Sequence, residues 1–224
     1  MSKEISVSLT GRSGSGKGTQ AELLMEHFEG MFYLSTGDLF RDLAKQGTAT
    51  SKKIKQILDE GGLPFDDIAV ALMIHTIAYN VKDGQGILFD GVTRRVGEAE
   101  IVDGFMEWLG RKDSTFHILI DVSRKEAFDR LSKRRICRKC GNLIPWAGES
   151  KDLKVCDKCG GELITRPDDI PDAINARLDY FEERVVQTID YYEKQGRLIK
   201  INGEQSIEDV FKDILKALGE NDKR

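Results

Sequence analysis

The sequence predicts an α/β fold in which a parallel five-stranded sheet is covered by helices. Three observations favour this class. Short apolar strands alternate with helical apolar spacing along the 224 residues, which is the pattern of parallel βα units. A glycine-rich turn joins the first strand directly to the first helix. Thr115 to Val122 is a nearly continuous apolar run, as expected of a strand that is buried on both faces.

The predicted elements follow one another in order, separated by turns that carry glycine and proline. Strands are predicted at residues 5–9, 31–34, 86–90, 115–122 and 197–201. Helices are predicted directly after the glycine turn and near residues 36–43, 54–58, 66–78, 96–109, 123–135, 172–194 and 206–218. Ser35 or Thr36 and Ser206 are suitable N-caps. Ser123 and Glu126 have the spacing of a capping box.

The composition is that of a globular protein, with 40% apolar and 32% charged residues. No apolar run is long enough to cross a membrane, and the first residues lack the apolar core of a secretory signal. We therefore expect a cytoplasmic protein with no membrane partner. The net charge of −4 argues against general binding of nucleic acid.

The turn after the first strand has the layout of a phosphate-binding P-loop, Gly11-Arg-Ser-Gly-Ser-Gly-Lys17-Gly-Thr19. Its glycines let several backbone N–H groups point into one hollow. The N-terminus of the following helix adds partial positive charge. Lys17 brings a full charge, and the Thr19 hydroxyl can reach Mg²⁺. Gly18 departs from the general pattern, which has Ser or Thr directly after the lysine.

All four cysteines lie in one segment, as two Cys-x-x-Cys pairs separated by fifteen residues. They are Cys137, Cys140, Cys156 and Cys159. Four cysteines close a tetrahedral site without an open position for water, so the pattern indicates a structural Zn²⁺ ion. The alternatives are an iron centre on the same ligands and two disulfides, which a reducing cytoplasm disfavours.

The cysteine segment is also basic. Residues 130–166 hold ten basic and four acidic side chains, a local charge of +6 in a chain that is acidic overall. Such a segment suits an anionic ligand. Four-cysteine ribbons also serve as nucleic-acid-binding or protein-binding modules, so a P-loop protein with a binding ribbon is one alternative. The P-loop favours a kinase, because a ribbon that only binds a partner does not require one. In a kinase the cysteine segment has a role as well, since the bound phosphates need an element that covers them.

Several arginines are placed at strand ends and beside the cysteine segment. Guanidinium groups contact phosphate oxygens in pairs and stabilise the charge that phosphoryl transfer spreads over them. The candidates are Arg41, Arg94, Arg134, Arg166 and Arg177. Asp90 ends the third predicted strand, at the edge of a parallel sheet where ligands bind.

Together these motifs resemble the adenylate kinase family, in its long-lid, zinc-containing type. The similarity runs from Ile5 to Leu218 and includes Ser35-Thr-Gly-Asp38 with Arg41, Asp90-Gly91 with Arg94, Asp129-Arg130, Arg134-Arg135, Thr165-Arg166-x-Asp168-Asp169 and Arg177. The resemblance implies reversible, Mg²⁺-dependent phosphoryl transfer from ATP to AMP, giving two ADP, in a protein that we expect to be a monomer. It implies a P-loop core (1–34, 65–130 and 167–224), an AMP-binding part (35–64) and a zinc lid (131–166).

The resemblance also implies a role for each site residue. The ATP site would comprise Gly14, Ser15, Gly16, Lys17, Gly18, Thr19, Arg130, Arg134, Leu143, Ile144 and Gln205. The AMP site would comprise Thr36, Arg41, Gly62, Leu63, Pro64, Gly91, Arg94 and Glu98. Arg166 and Arg177 would contact both phosphate groups, while Asp90, Asp168 and Asp169 would order the water around Mg²⁺ and the lid hinge. No side chain need act as a base, because the second pKa of a phosphate monoester is about 6.

Residues 90–98 depart from the family pattern, which has Phe-Pro where this chain has Val92-Thr93 and Gln where it has Glu98. A Gln can donate to adenine N1 and accept from the adenine amino group, whereas an ionised Glu can only accept. Guanine offers donors at N1 and N2, so GMP is an alternative acceptor. We expect AMP, because a change in buried recognition usually involves several residues together.

Overall fold

The computed structural model describes residues 4–59, 64–166 and 169–220. These residues form two compact units. The first unit covers residues 4–10, 21–59, 64–119 and 183–199. The second unit covers residues 11–20, 120–166, 169–182 and 200–220. Within the described ranges, no helix is both long enough and apolar enough to span a bilayer.

Strands and helices alternate as predicted. The strands are β1 (Ser6–Thr10), β2 (Phe32–Ser35), β3 (Ile87–Asp90), β4 (Thr115–Asp121), β5 (Arg135–Cys137), β6 (Leu143–Ile144), β7 (Leu163–Thr165) and β8 (Leu198–Asn202). The α-helices are α1 (Lys17–His27), α2 (Thr36–Ala44), α3 (Ala49–Asp59), α4 (Asp66–Asn80), α5 (Val96–Trp108), α6 (Arg124–Lys133), α7 (Pro171–Tyr180), α8 (Val186–Lys194) and α9 (Ile207–Ala217).

The predicted five-stranded sheet is present, with the strand order β2-β3-β1-β4-β8. β1 pairs in parallel with β3 and β4, and β2 pairs in parallel with β3. Val7 and Leu9 of β1 have no exposed surface, because a central parallel strand is covered on both faces. Ser35 and Asp90 are in register at the carboxyl ends of β2 and β3. This register brings the residues that follow the two strands close together.

The first unit has its core on β2 and β3. Helices α4 and α5 contribute Met73, Ile77, Val102 and Met106 to a buried cluster that also contains Leu34, Ile87 and Phe89. A smaller cluster joins Phe40, Ile54 and Ala69 of α2, α3 and α4. These apolar contacts hold the carboxyl ends of β2 and β3 in a fixed relation to α2 and α5.

A buried polar network lies in the same unit. Arg197 Nη1 lies 2.6 Å from a carboxylate oxygen of Asp103, and Arg197 Nη2 lies 3.1 Å from His117 Nε2. Burial, followed by the charge of Arg197, lowers the pKa of His117 to about 3. His117 is therefore neutral at pH 7 and contributes to the fold through its contacts.

In the second unit, α6 packs on α7 through Ala127, Leu131, Ile174 and Leu178, all fully buried. The serine half of the predicted capping box is present, because Ser123 Oγ accepts from the backbone N–H of Glu126 at 3.2 Å. The reciprocal bond comes from another residue.

Glu204 accepts from the backbone N–H of Ser123 at 2.7 Å. The Glu126 carboxylate accepts instead from Arg130 Nε at 2.7 Å. A side chain distant in sequence therefore completes the cap, which the local spacing could not indicate.

The helix predicted over residues 172–194 is interrupted. α7 ends at Tyr180, a π-helical turn covers Phe181–Val185, and α8 begins at Val186. The prediction of one continuous helix was therefore wrong at this turn. A π turn keeps the chain helical and adds one residue to a turn, so apolar residues at spacings of three and four do not reveal it.

The cysteine segment contains a small antiparallel sheet with the order β6-β5-β7. β5 pairs with both neighbours, and Arg135 lies opposite Ile144 on one side and Thr165 on the other. The sequence prediction assigned no strands here, because two-residue and three-residue strands leave no periodic signal. The sheet joins the two ends of the segment.

Candidate active site

The P-loop connects β1 to α1, and two of its positions require glycine. Gly14 has a φ of +85°, and a Cβ built on it would lie 2.8 Å from the carbonyl oxygen of Ala127. A Cβ on Gly11 would lie 2.5 Å from the carbonyl oxygen of Ile120. The loop backbone therefore packs directly against the chain after β4 and the helix α6, as close approach by glycine permits.

Lys17 is the first residue of α1. Its Nζ donates to the carbonyl oxygens of Gly11 at 2.7 Å and of Arg12 at 2.9 Å. The ammonium group is thus bound by the loop that it follows. Its charge and the positive end of α1 favour an anion at this turn.

Arg12 links the P-loop to the end of β4 and the residue that follows it. Sequence reasoning did not identify Arg12. Its Nη1 donates to the carbonyl oxygen of Val122 at 3.0 Å and to Asp121 at 3.3 Å. Its guanidinium lies 4.6 Å from the ring centre of Phe181, and Nη2 lies 3.6 Å from a Glu182 oxygen. The signal that could have found it is a charged residue inside a glycine loop.

Arg130 and Gln205 lie in the same unit. Arg130 Nη2 donates to the carbonyl oxygen of Gly203 at 2.9 Å, and Nη1 lies 3.5 Å from that of Ser15. Gln205 donates to Asp213 at 2.8 Å. Arg130 therefore lies beside the P-loop.

Asp169 brings together two arginines that the sequence assigned to phosphate binding. Arg134 donates Nε and Nη2 to the two carboxylate oxygens at 2.8 and 2.9 Å. Arg177 donates Nη2 to one of these oxygens at 2.6 Å. The Asp169 side chain has no exposed surface, whereas the side chains of Arg134 and Arg177 are 17% and 30% exposed. The buried carboxylate thus fixes two guanidiniums that still reach solvent.

Charge explains why this carboxylate stays ionised. Burial raises the pKa of Asp169, but the hydrogen bonds and charges of Arg134 and Arg177 outweigh burial and lower it below its usual value. The backbone N–H of Asp169 donates to the carbonyl oxygen of Arg166 at 2.9 Å. The backbone of Arg166, another predicted site residue, is therefore bonded to that of Asp169.

Several described residues predicted to bind the monophosphate lie in the first unit, and two of them, Thr36 and Arg94, bond to Gly91. The carbonyl oxygen of Gly91 accepts from Thr36 Oγ1 at 3.2 Å and from Arg94 Nε at 3.3 Å. Gly91 has a φ of +62°, so the chain turns sharply after β3. Arg41 is exposed and pairs with Asp38 at 2.6 Å.

Tyr33 is a further residue that sequence reasoning missed. Its hydroxyl donates to Asp90 Oδ2 at 2.9 Å. Burial, followed by the Asp90 charge, raises the pKa of Tyr33, so the phenol stays protonated and keeps donating. The parallel register of β2 and β3, together with this tyrosine, holds Asp90 at the edge of the sheet.

Glu98 lies at the N-terminus of α5. Its Oε2 accepts from the backbone N–H of Arg94 at 2.7 Å and from that of Arg95 at 3.3 Å. Glu98 is 7% exposed. The carboxylate therefore caps the helix and is bonded to the loop that carries Arg94.

The four cysteines form one cluster, with their sulfur atoms all within 4.8 Å of one another. Cys137 Sγ lies 3.4 Å from Cys159 Sγ, and Cys140 Sγ lies 3.6 Å from Cys156 Sγ. A disulfide requires about 2.05 Å, whereas bonds of about 2.3 Å to a tetrahedral Zn²⁺ ion separate sulfurs by about 3.8 Å. The spacing therefore fits four ligands of one metal ion.

Two matching turns build this cluster. Gly141 donates its N–H to the Cys137 carbonyl at 2.9 Å, and Gly160 donates to that of Cys156 at 2.8 Å. The backbone N–H of Cys140 lowers the pKa of Cys137, which favours the thiolate that a metal needs. At Cys140 a backbone hydrogen bond acts in the same direction, but hydrogen bonds from the neighbouring sulfurs outweigh it and raise the pKa.

The remaining predicted residues are placed as follows. Ile144 is 2% exposed and Leu143 is 47% exposed, so adjacent residues of β6 face opposite ways. Pro64 is buried. Gly62, Leu63 and Asp168 lie outside the described residues.

A family model described as adenylate kinase matches residues 9–197. The chain belongs to the adenylate kinase family. The adenylate kinase of Bacillus licheniformis is 38% identical over 221 residues, which cover 96% of this chain and 98% of that protein. That of Desulforudis audaxviator is 39% identical over 214 residues, 94% of this chain and 98% of the relative. These matches confirm the sequence-based prediction of an adenylate kinase, that is, a phosphotransferase with a P-loop α/β fold.

We expect the ion pairs of Asp169 with Arg134 and Arg177 to stabilise the fold. Asp169→Asn should lower the free energy of unfolding at pH 7 by about 1.5–3 kcal/mol, the range for hydrogen bonds to charged groups. Because the folded-state pKa is lowered, the ionised carboxylate stabilises the fold above the unfolded-state pKa of about 3.9. This contribution is lost as the pH falls through the folded-state pKa.

Urea unfolding followed by circular dichroism between pH 7 and pH 3 measures the difference between the two proteins. Asp113→Asn, which changes an exposed carboxylate, is the control and should stay within about 0.5 kcal/mol of the parent. If the loss of unfolding free energy in Asp169→Asn were the same at pH 3 as at pH 7, the ionised state of Asp169 could not be its cause, and the prediction would be wrong.

Proposed function

We propose that the second unit binds ATP and the first unit binds AMP, and that the γ-phosphoryl group of ATP passes reversibly to AMP to give two ADP. The observation that carries this proposal is the pair of arginines held on buried Asp169 in the unit that also contains the P-loop. Such a set of fixed cations suits a group that carries several negative oxygens during transfer.

ATP is proposed to bind at Gly14, Ser15, Gly16, Lys17, Gly18, Thr19, Arg130, Arg134, Leu143, Ile144 and Gln205. The two carbonyl contacts of Lys17 support this, because phosphate oxygens can replace them as acceptors at similar distances. Leu143 is exposed and can offer its side chain, whereas Ile144 is buried.

AMP is proposed to bind at Thr36, Arg41, Gly62, Leu63, Pro64, Gly91 and Arg94. Thr36 and Arg94 both bond to the Gly91 carbonyl, so these groups already lie close together. Within the described part of the chain, the ion-pair partner of Arg41 is an exposed acid, Asp38. Exposed ion pairs are weak. A phosphate dianion competes well for such a guanidinium.

Catalysis is proposed to rest on alignment and charge stabilisation. The acceptor phosphate is largely ionised at neutral pH, since its second pKa is about 6, and no residue has to remove a proton. Arg94 binds the acceptor phosphate. Arg134, Arg166 and Arg177 contact the transferred group, and the first and last of these are already oriented by Asp169.

Adenylate kinases use Mg²⁺ with ATP, and the ion neutralises charge on the phosphate oxygens when it is bound. We propose that Asp90 and Asp168 hold water of its hydration shell. Asp90 lies at the end of β3 and is oriented by Tyr33. Asp169 already accepts from two arginines, so we assign it to the hinge of the lid.

The four cysteines are proposed to bind one structural Zn²⁺ ion. Four cysteine ligands leave no coordination position for water on the ion. The ion is therefore proposed to stiffen the lid (residues 131–166) and to take no part in transfer. The core then comprises residues 1–34, 65–130 and 167–224, and the AMP-binding part residues 35–64. We further propose a monomer that acts without nucleic acid, in the cytoplasm, where thiolates stay reduced.

The proposed reaction is tested by a coupled assay of ADP formation from Mg-ATP with AMP, GMP, CMP or UMP. AMP should be the best acceptor by at least tenfold in kcat/KM. Gly14→Ala should raise the KM for ATP at least tenfold, because its Cβ meets the Ala127 carbonyl. Gly104→Ala, whose Cβ meets no atom within 4 Å, is the control and should be unchanged. A better rate with another monophosphate would refute AMP as the acceptor.

Removal of the metal tests the lid assignment. The purified protein should contain about one Zn²⁺ per chain by atomic emission, as one closed four-thiolate site implies. Chelation, or Cys156→Ser, should lower the melting temperature by several degrees, because the small sheet of the lid loses its central link. Mg²⁺ should not restore the loss, whereas Zn²⁺ should restore it after chelation. A metal-free protein with unchanged melting, or one with two disulfides by mass spectrometry, would disprove the site.

A further inference from the structure

The carboxylate of Glu98 is committed to the backbone on which Arg94 lies. Oε2 accepts from the N–H of Arg94 at 2.7 Å, which is short for an N–H···O bond, and from that of Arg95 at 3.3 Å. The side chain is almost fully buried. Removing an acceptor at a buried site leaves its donors unpaired, which is costly.

The position of Glu98 on α5 favours this bonding. α5 begins at Val96, so Glu98 is the third helical residue. The first N–H groups of a helix have no partner within the helix, and its N-terminus carries partial positive charge. An ionised carboxylate here gains from both effects. The same effects hold it against rotation toward a ligand.

The loop that Glu98 holds is the one that carries acceptor-binding groups. Arg94 is bound through its backbone by Glu98 and through its side-chain Nε by the Gly91 carbonyl. That carbonyl also accepts from Thr36. A connected set of bonds therefore runs from the helix N-terminus to the end of β2.

We infer that Glu98 is a positioning residue, whose carboxylate fixes Arg94 for the acceptor phosphate and does not select the acceptor base. This inference rests on the proposed role of Arg94 in binding the monophosphate. It replaces the idea that the exchange of Gln for Glu at this position redirects the enzyme to GMP. The property that matters is an acceptor oxygen at the end of a side chain of this length, and Gln has one.

The test compares Glu98→Gln, which keeps the acceptor oxygen, with Glu98→Met, which keeps the length and loses it. Glu98→Gln should keep the KM for AMP within about threefold of the parent and leave the ratio of kcat/KM for AMP and GMP unchanged. Glu98→Met should lower kcat/KM for AMP at least tenfold while the KM for ATP stays within twofold. The AMP to GMP ratio should again be unchanged.

Glu100→Gln and Glu100→Met are matched controls, because Glu100 is exposed on the same helix, and both should behave like the parent. If Glu98→Met does not fold, Glu98→Gln decides alone. A shift of at least tenfold in its AMP to GMP ratio would overturn the inference and make Glu98 a base-reading residue, and an unchanged ratio with near-parent KM for AMP would support it.

Equal losses for AMP and ATP in Glu98→Met would also overturn the inference, because they would indicate a general loss of structure. The parent enzyme separates this outcome from failure of the proposed function. If the parent preferred GMP, AMP as acceptor would be wrong, while the effect of Glu98→Gln on the ratio would still decide the role of Glu98.

Discussion

The site depends on one buried carboxylate, Asp169, that holds the guanidiniums of Arg134 and Arg177. Cations gathered for a phosphate repel one another when the phosphate is absent. A fully buried anion between them offsets that repulsion and fixes both planes through bonds of 2.6–2.9 Å. In the proposed function, the arginines need little reorganisation when charge develops on the transferred group, and such preorganisation is the main source of electrostatic catalysis.

Lys17 and Arg94 are held in a different way, by backbone carbonyl oxygens. Lys17 bonds to the carbonyls of Gly11 and Arg12, and Arg94 bonds to that of Gly91. A neutral carbonyl is a weaker acceptor than a phosphate oxygen, so in the proposed function these cations exchange it for substrate. The chain thus combines two guanidiniums held by a buried carboxylate with two cations held by weaker acceptors.

Sequence reasoning found the features that are local in the chain. The P-loop lies within nine residues, and each cysteine pair spans four, so their chemistry is visible in the spacing. The order of strands and helices followed from the same kind of local pattern. The four cysteines form one cluster, as their spacing indicated.

The features that the sequence did not predict are contacts between residues that are far apart in the chain. Arg134 and Asp169 are 35 positions apart, and no local pattern links them. Arg12 contacts residues of β4 and the π-helical turn, which are adjacent to it only in the fold. Glu98 was weighed as a base-reading residue because the family has Gln there, whereas its capping bonds depend on where α5 begins.

The most direct test of the account is a mutant cycle on kcat, measured at saturating ATP and AMP and at a temperature where every variant is folded. If Asp169 acts by orienting arginines, Asp169→Asn should lower kcat at least tenfold in the parent. It should lower kcat less than threefold in a background that carries both Arg134→Met and Arg177→Met. If Asp169→Asn lowered kcat by the same factor in the parent and in the double-arginine variant, the carboxylate would act independently of the arginines, and the account would be contradicted.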